Sequence, residues 1–169
     1  MASRDASPSL DNLPDGSSFK IGIAVAQWNP DVTDKLLSGA KETLITSGVI
    51  EENIEVIHVP GSFELPWGAR QLLTAAKRDA VICLGCIIQG ETKHDDYIAH
   101  AVASGIMQLG LTTGTPVIFG VVTTNTTEQA IERAGGSHGN KGSEAAGTAL
   151  QLATIARLNK TSKKSIGYS

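Results

Sequence analysis

The chain has 169 residues, 41% of them hydrophobic and 18% charged, with a formal net charge of -3. That length suits one domain with a single core, and the slight acidity excludes the basic footprint that nucleic acid demands. No apolar run approaches the roughly 20 residues needed to span a bilayer.

Residues 1–18 are rich in Ser, Asp and Pro and lack an apolar centre, so they do not read as a secretory signal. Asp5, Asp11 and Asp15 argue against an organelle transit peptide. The expectation is a mobile arm on a cytoplasmic protein.

Phe19 to Ala26 reads as the first buried strand, with Ile21, Ile23 and Val25 apolar. Asn29 is placed to cap a helix and Pro30 suits its first position. Val32, Leu36, Leu37, Ala40, Leu44 and Ile45 follow at helical spacing, with Gly48 as the stop. Ile54 to Val59 is the second strand, broken by Pro60-Gly61-Ser62. Glu64, Leu65, Ala69, Leu72, Leu73 and Ala76 then mark a second helix.

Ala80 to Ile88 is a near-continuous apolar run, the pattern of a strand buried on both faces. It ends in Gln89-Gly90-Glu91-Thr92-Lys93-His94, where Gly90 would allow a sharp turn and Thr92 a helix cap. The helix carrying His94 runs on through Ile98, Val102, Ile106 and Leu109 and closes near Gly114. Cys83 and Cys86 share the spacing of a redox pair, but inside a strand residues three apart face opposite ways. Two matches to the glycosylation sequon, at Asn125 and Asn159, read as chance without a secretory signal.

Pro116 to Thr123 is the fourth strand, and Asn125 to Ala134 a short helix with Thr126 and Gln129 spaced as a capping box. Residues 135–142 form a glycine-rich loop that lacks the Gly-Lys-Ser/Thr ending of a P-loop. An alanine-rich helix, Ser143 to Leu158, comes last, and residues 159–169 read as a frayed polar tail. Strand and helix thus alternate four times, which predicts a parallel sheet with helices on both faces. The small-residue helix faces (Ala145, Ala149, Ala156) point to an oligomer.

A parallel sheet delivers all its carboxyl strand ends to one edge, where such folds bind ligands. Collected there are Trp28 and Asn29, then Gly61 to Glu64, then Gln89 to His94, then Thr123 to Asn125. Aromatic surfaces, a carboxylate, amides and one imidazole suit a flat, hydrogen-bonding heterocycle with a polyol attached. Arg133 and Lys141 suggest an anion, since a guanidinium forks onto phosphate and lysine adds a mobile charge. The four histidines show no metal-ligand spacing with cysteines or carboxylates.

Four linked motifs, spread over about residues 19–158, resemble lumazine synthase. They are Pro60-Gly61-Ser62-Phe63-Glu64-Leu65-Pro66, Gly90-Glu91-Thr92-Lys93-His94, Pro116-Val117-Ile118-Phe119-Gly120, and Gln129 to Gly135 followed by Gly139-Asn140-Lys141-Gly142. The resemblance implies a flavodoxin-like, three-layer α/β sandwich with a four-stranded parallel sheet. It implies a transferase that condenses 5-amino-6-ribitylaminouracil with 3,4-dihydroxy-2-butanone 4-phosphate, the penultimate step of riboflavin synthesis, with no cofactor.

By motif, Trp28 and Asn29 would receive the pyrimidine, and Ser62, Phe63 and Glu64 the ribityl chain and ring, with Ile87 and Ile88 beside them. Gly90, Glu91, Thr92 and Arg133 would cradle the phosphate, and His94 would shuttle protons. Phe119, Arg133 and Lys141 would come from a neighbouring subunit. The family assembles as pentamers and in some members as 60-subunit icosahedral capsids, and riboflavin synthase is a candidate partner. A non-catalytic flavin-binding or capsid-forming protein of the same fold is the alternative. Trp28 stands where phenylalanine is common, Gln89 replaces a frequent basic residue, and Asp95 replaces an aromatic.

Overall fold

A computed structural model of the chain describes residues 9–164, with side chains through Thr161. Four parallel strands alternate with helices: β1 (Ile21–Ala26), α1 (Pro30–Thr46), β2 (Ile54–Val59), α2 (Leu65–Ala75), β3 (Ala80–Ile88), α3 (His94–Thr113) and β4 (Val117–Thr124). Then come α4 (Thr127–Glu132), a small antiparallel pair β5 (Ala134–Gly136) and β6 (Gly139–Asn140), and α5 (Lys141–Lys164). The sheet order is β2-β1-β3-β4, all parallel, so the chain winds one way from β1 to β2 and the other way to β3 and β4. This is a flavodoxin-like α/β sandwich, and its topological switch point lies between β1 and β3.

The two central strands are sealed on both faces, which is why their sequences are apolar without alternation. One face carries Ile21, Ile23, Val25, Ile82 and Leu84 against Val32, Leu36 and Ala40 of α1 and Ala146, Ala149 and Leu150 of α5. The other carries Ala24, Val81 and Val121 against Leu65, Ala69 and Leu72 of α2 and Val102 and Ile106 of α3. Cys83 belongs to the second layer and Cys86 to the first, as the period of two requires. Burial pushes the Cys83 thiol up to about 12 and the Cys86 thiol up to about 11, which removes any redox-pair chemistry.

Several element ends differ from the sequence expectation. The last helix begins two residues earlier than Ser143, because Asn140 caps it. Its Oδ1 accepts from Gly142 N at 2.8 Å and Ser143 N at 3.3 Å, while its Nδ2 donates to Lys35 O of α1 at 3.0 Å. The same helix continues past residue 158 to Lys164, with Thr161 Oγ1 donating to Arg157 O at 3.1 Å. Arg157 reaches back to Asp79 at 2.9 Å, bonds Ser18, and lies 4.2 Å over the Phe19 ring. Within the expected N-terminal arm, Gly16 is buried and donates to Ser47 O at 2.7 Å, and Leu13 packs on the core. Residues 1–8 and 165–169 lie outside the described residues. Among the described residues no helix is long and apolar enough to cross a membrane.

At the crossing of α1 and α5, a methyl on Gly142 would run into the backbone carbonyl of Leu36. Elsewhere in a helix an alanine gains about 1 kcal/mol over glycine. Here Gly142→Ala must separate two helices or bend α5, and overpacking of this kind costs about 1–3 kcal/mol. The expected result is a lower urea midpoint; an unchanged or raised midpoint would show that the crossing has slack.

Candidate active site

The site forms where β1 and β3 part company. Their pairing stops at Val25 and Leu84, whereas β3 keeps β4 as a partner as far as Ile88 and Thr124. The Cys86 carbonyl therefore lies beyond the end of the β1 ladder and needs donors from elsewhere. Asn29 Nδ2 donates to it at 3.4 Å and Ser62 Oγ at 3.3 Å. Asn29 occupies the N-cap position of α1 as expected, but in a left-handed conformation (φ 59°) and without a capping side-chain bond. Its amide serves β3 instead, a use that sequence spacing does not reveal.

These two bonds fix the loops that carry Trp28 and Phe63. Both rings stand out of the core, at 71% and 59% exposure, so neither is a packing residue. Ser62–Glu64 form a short 3-10 turn in which Glu64 Oε2 accepts from Gly61 N at 3.0 Å. A carboxylate keeps further acceptor capacity after one such bond. Ile87 and Ile88 supply the floor from β3.

The third wall is the start of α3. His94 is the first residue of that helix, and Lys93, not Thr92, occupies the cap position with no side-chain cap bond. Asp95 and Asp96 in the first turn offset the missing cap by favourable interaction with the helix dipole. Gly90 does not adopt a left-handed conformation, and nothing lies within 4 Å of where its Cβ would be. Its role is open surface rather than a strained turn. Trp28, Asn29, Ser62, Phe63 and Glu64 thus meet Ile87, Ile88, Gly90, Thr92 and His94 around one cleft of about 720 Å³. Cys86, Asp95, Tyr97 and Ile98 also line it. Tyr97 and Ile98 went unremarked as site residues in the sequence, although they lie three and four positions after His94 and so share its helix face.

The remaining candidates lie elsewhere. Arg133 lines a second, polar cleft of about 360 Å³ with Thr123, Thr124, Asn125, Gln129, Glu132 and His138. The expected capping box stands beside it in altered form. Thr126 accepts from Gln129 N at 3.3 Å, while the Gln129 amide oxygen accepts from Asn125 N at 3.0 Å rather than from the cap itself. Hydrogen bonds from Ser137 hold the Glu132 carboxyl below its ordinary range. Phe119 sits mid-strand on the edge strand β4 yet is exposed. Lys141 pairs with Glu144 at 3.0 Å, and Glu91 is exposed. Phe119, Lys141 and Glu91 line neither cleft. Among the described residues no cluster of His, Cys, Asp and Glu could hold a metal ion.

The first cleft can hold a flat ring between aromatic faces, hydrogen-bond its edge, and move a proton through an imidazole. The second offers a guanidinium, two amides and the Thr123 hydroxyl to an oxyanion, the Thr124 hydroxyl being donated to Thr126 O at 2.9 Å. The 6,7-dimethyl-8-ribityllumazine synthase family profile matches residues 18–157. The chain is 51% identical over 148 residues to the 6,7-dimethyl-8-ribityllumazine synthase of Porphyromonas gingivalis, covering 88% of this chain and 92% of that one. It is 50% identical over 143 residues to the enzyme of that name from Parabacteroides distasonis (85% and 89% covered). The figure is also 50% over 151 residues for that from Cytophaga hutchinsonii (89% and 95%). With matches of that extent, the chain belongs to the 6,7-dimethyl-8-ribityllumazine synthase family.

Proposed function

We propose that the chain catalyses the last-but-one step of riboflavin synthesis. It condenses 5-amino-6-ribitylaminouracil with 3,4-dihydroxy-2-butanone 4-phosphate to 6,7-dimethyl-8-ribityllumazine, releasing phosphate and water. The observation that carries this reading is the half-identical match across nearly the whole chain, to proteins of that name. Formation of the lumazine from both substrates by the purified protein tests it directly.

The reaction needs an amine to add to a ketone, water and phosphate to leave, and a ring to close. Both substrates bring their own reactive groups, so orientation in one pocket is the main contribution, where effective molarity offsets several kcal/mol. The exposed rings of Trp28 and Phe63 support stacking on the pyrimidine, with Asn29, Ser62 and Glu64 as hydrogen-bonding neighbours. His94, which lines the same cleft, passes protons between oxygen and nitrogen. Gly90, Glu91 and Thr92 receive the phosphate together with Arg133, whose guanidinium has no partner among the described residues.

We place the complete site between two subunits. Arg133 lies in a cleft apart from His94, Phe119 is exposed in mid-strand, and Lys141, paired with Glu144, lines neither cleft, so none of the three is committed to the His94 cleft of its own chain. Exposed Met107 and Leu111 on α3, and Ile155 and Leu158 on α5, supply apolar surface for association. The assembly is a pentamer or an icosahedron of pentamers, and riboflavin synthase, which consumes the product, is the candidate partner.

Proton shuttling contributes ~10²–10⁴-fold, while orientation survives loss of the imidazole. His94→Gln is therefore expected to be slow yet faster than the reactants without protein; activity equal to wild type would remove His94 from the mechanism. Riboflavin, a product-like isoalloxazine, should quench tryptophan emission in wild type and much less in Trp28→Leu, where Trp67 remains as internal control. Equal quenching in both would put the flavin elsewhere. Co-expression of Arg133→Ala with His94→Ala tests the shared site. Some interfaces will pair the intact halves, so activity should exceed the average of the two single variants and vary with subunit ratio. Verified mixed assemblies that never exceed that average would put the site within one chain.

A further inference from the structure

The cleft around Arg133 contains a run of contacts to which the roles above give no task. Ser137 Oγ donates to Glu132 Oε2 in a short hydrogen bond, and Ser137 N donates to the same oxygen at 2.7 Å. His138 Nδ1 lies 3.1 Å from Ser137 Oγ, and His138 N donates to Glu132 O at 3.1 Å. A hydroxyl has one proton, and here it is committed to the carboxylate. Ser137 Oγ is therefore the acceptor toward the ring, Nδ1 carries hydrogen, and Nε2 is left for another partner. That ring lines the same cleft as Arg133, Thr123, Thr124 and Asn125.

We propose that His138 is a second cationic phosphate-binding group in this cleft, held in orientation by the Glu132–Ser137 relay. The inference rests on the reading that Arg133 receives the phosphate of the four-carbon substrate. With the ring doubly protonated beside the bound dianion, Nε2–H of His138 would donate to a phosphate oxygen alongside the guanidinium fork, so two cations share a dianion. Ser137 and Glu132 act only through the ring and are positioning residues. The other charged pair near the loop, Lys141 with Glu144 at the start of α5, is already matched and leaves the anion to Arg133 and His138.

The experiment compares His138→Gln, His138→Arg, Ser137→Ala and Arg133→Ala with wild type in the assembled enzyme. It measures KM for each substrate and inhibition by inorganic phosphate. A charge-assisted hydrogen bond of about 1.5–3 kcal/mol corresponds to roughly a 10–150-fold change. His138→Gln is expected to raise KM for the phosphate substrate by about tenfold or more and to weaken phosphate inhibition equally. The pyrimidine KM should stay put. His138→Arg, which keeps the charge, should restore most of the loss, and Ser137→Ala should fall between. Because His138 is exposed, thermal melting should not change, which separates a binding defect from a folding one. Wild-type phosphate handling in His138→Gln alongside impaired handling in Arg133→Ala overturns the inference and leaves the phosphate reading intact. Wild-type values in both variants overturn both.

Discussion

A single backbone oxygen organises the site. The Cys86 carbonyl sits two residues past the last one that β1 pairs, inside a sheet where an unmet acceptor costs as much as a lost hydrogen bond. Asn29 and Ser62 answer it from two different loops, and in doing so they set the spacing of the two aromatic walls. The requirement comes from topology. Wherever a doubly wound sheet reverses direction, the central strand outruns one neighbour, and its last polar groups must be met by side chains. The same deficit that demands those side chains leaves a crevice between the loops. Fold and binding site are two results of one unmet hydrogen bond.

The opposite edge of the sheet end is held by a different device. The hairpin of β5 and β6 leads directly into α5, and Asn140 joins three elements at once by capping α5 and bonding the carbonyl of Lys35 in α1. Gly142, lying on the Leu36 backbone, lets the two helices approach closely enough for that bond to form. Packing on the α1–α5 face thereby fixes the loop that presents Ser137 and His138, while α4 presents Arg133. A change in helix crossing would be felt as a displaced anion cleft, although none of the crossing residues touches it.

Much of this was legible in the sequence because burial leaves a strong signature. The apolar run at 80–88 and the strand at 54–59 were bounded to the residue, and Trp28, Phe63 and His94 were assigned to one edge from strand ends alone. What escaped were features set by polar groups that choose among several partners. Asn29 has the chemistry of a helix cap and the position of one, yet its amide is taken by a carbonyl 57 residues away. Thr92 looks like a cap but stands outside the helix, whose first turn relies on acidic residues instead. The last helix outruns its apolar period at both ends, since its final turns are exposed and Asn140 stands in a glycine-rich stretch that signals a loop. The assignment of Phe119, Arg133 and Lys141 to a neighbour rested on resemblance. No periodicity within one chain encodes a contact between two.

The paired thiols of β3 have a use that follows from their separation. Cys83 is closed in by α2 and α3, and Cys86 by α1 and α5. With both thiols buried and their ionisation driven to high pH, Cys83 meets an alkylating reagent only when its own layer opens, whereas Cys86 is also approached from the cleft it lines. The two sulfurs are thus native reporters of breathing on opposite sides of one sheet, three residues apart in the chain. Mass spectrometry of time-dependent alkylation would tell which side of the sheet becomes accessible first, without any introduced label.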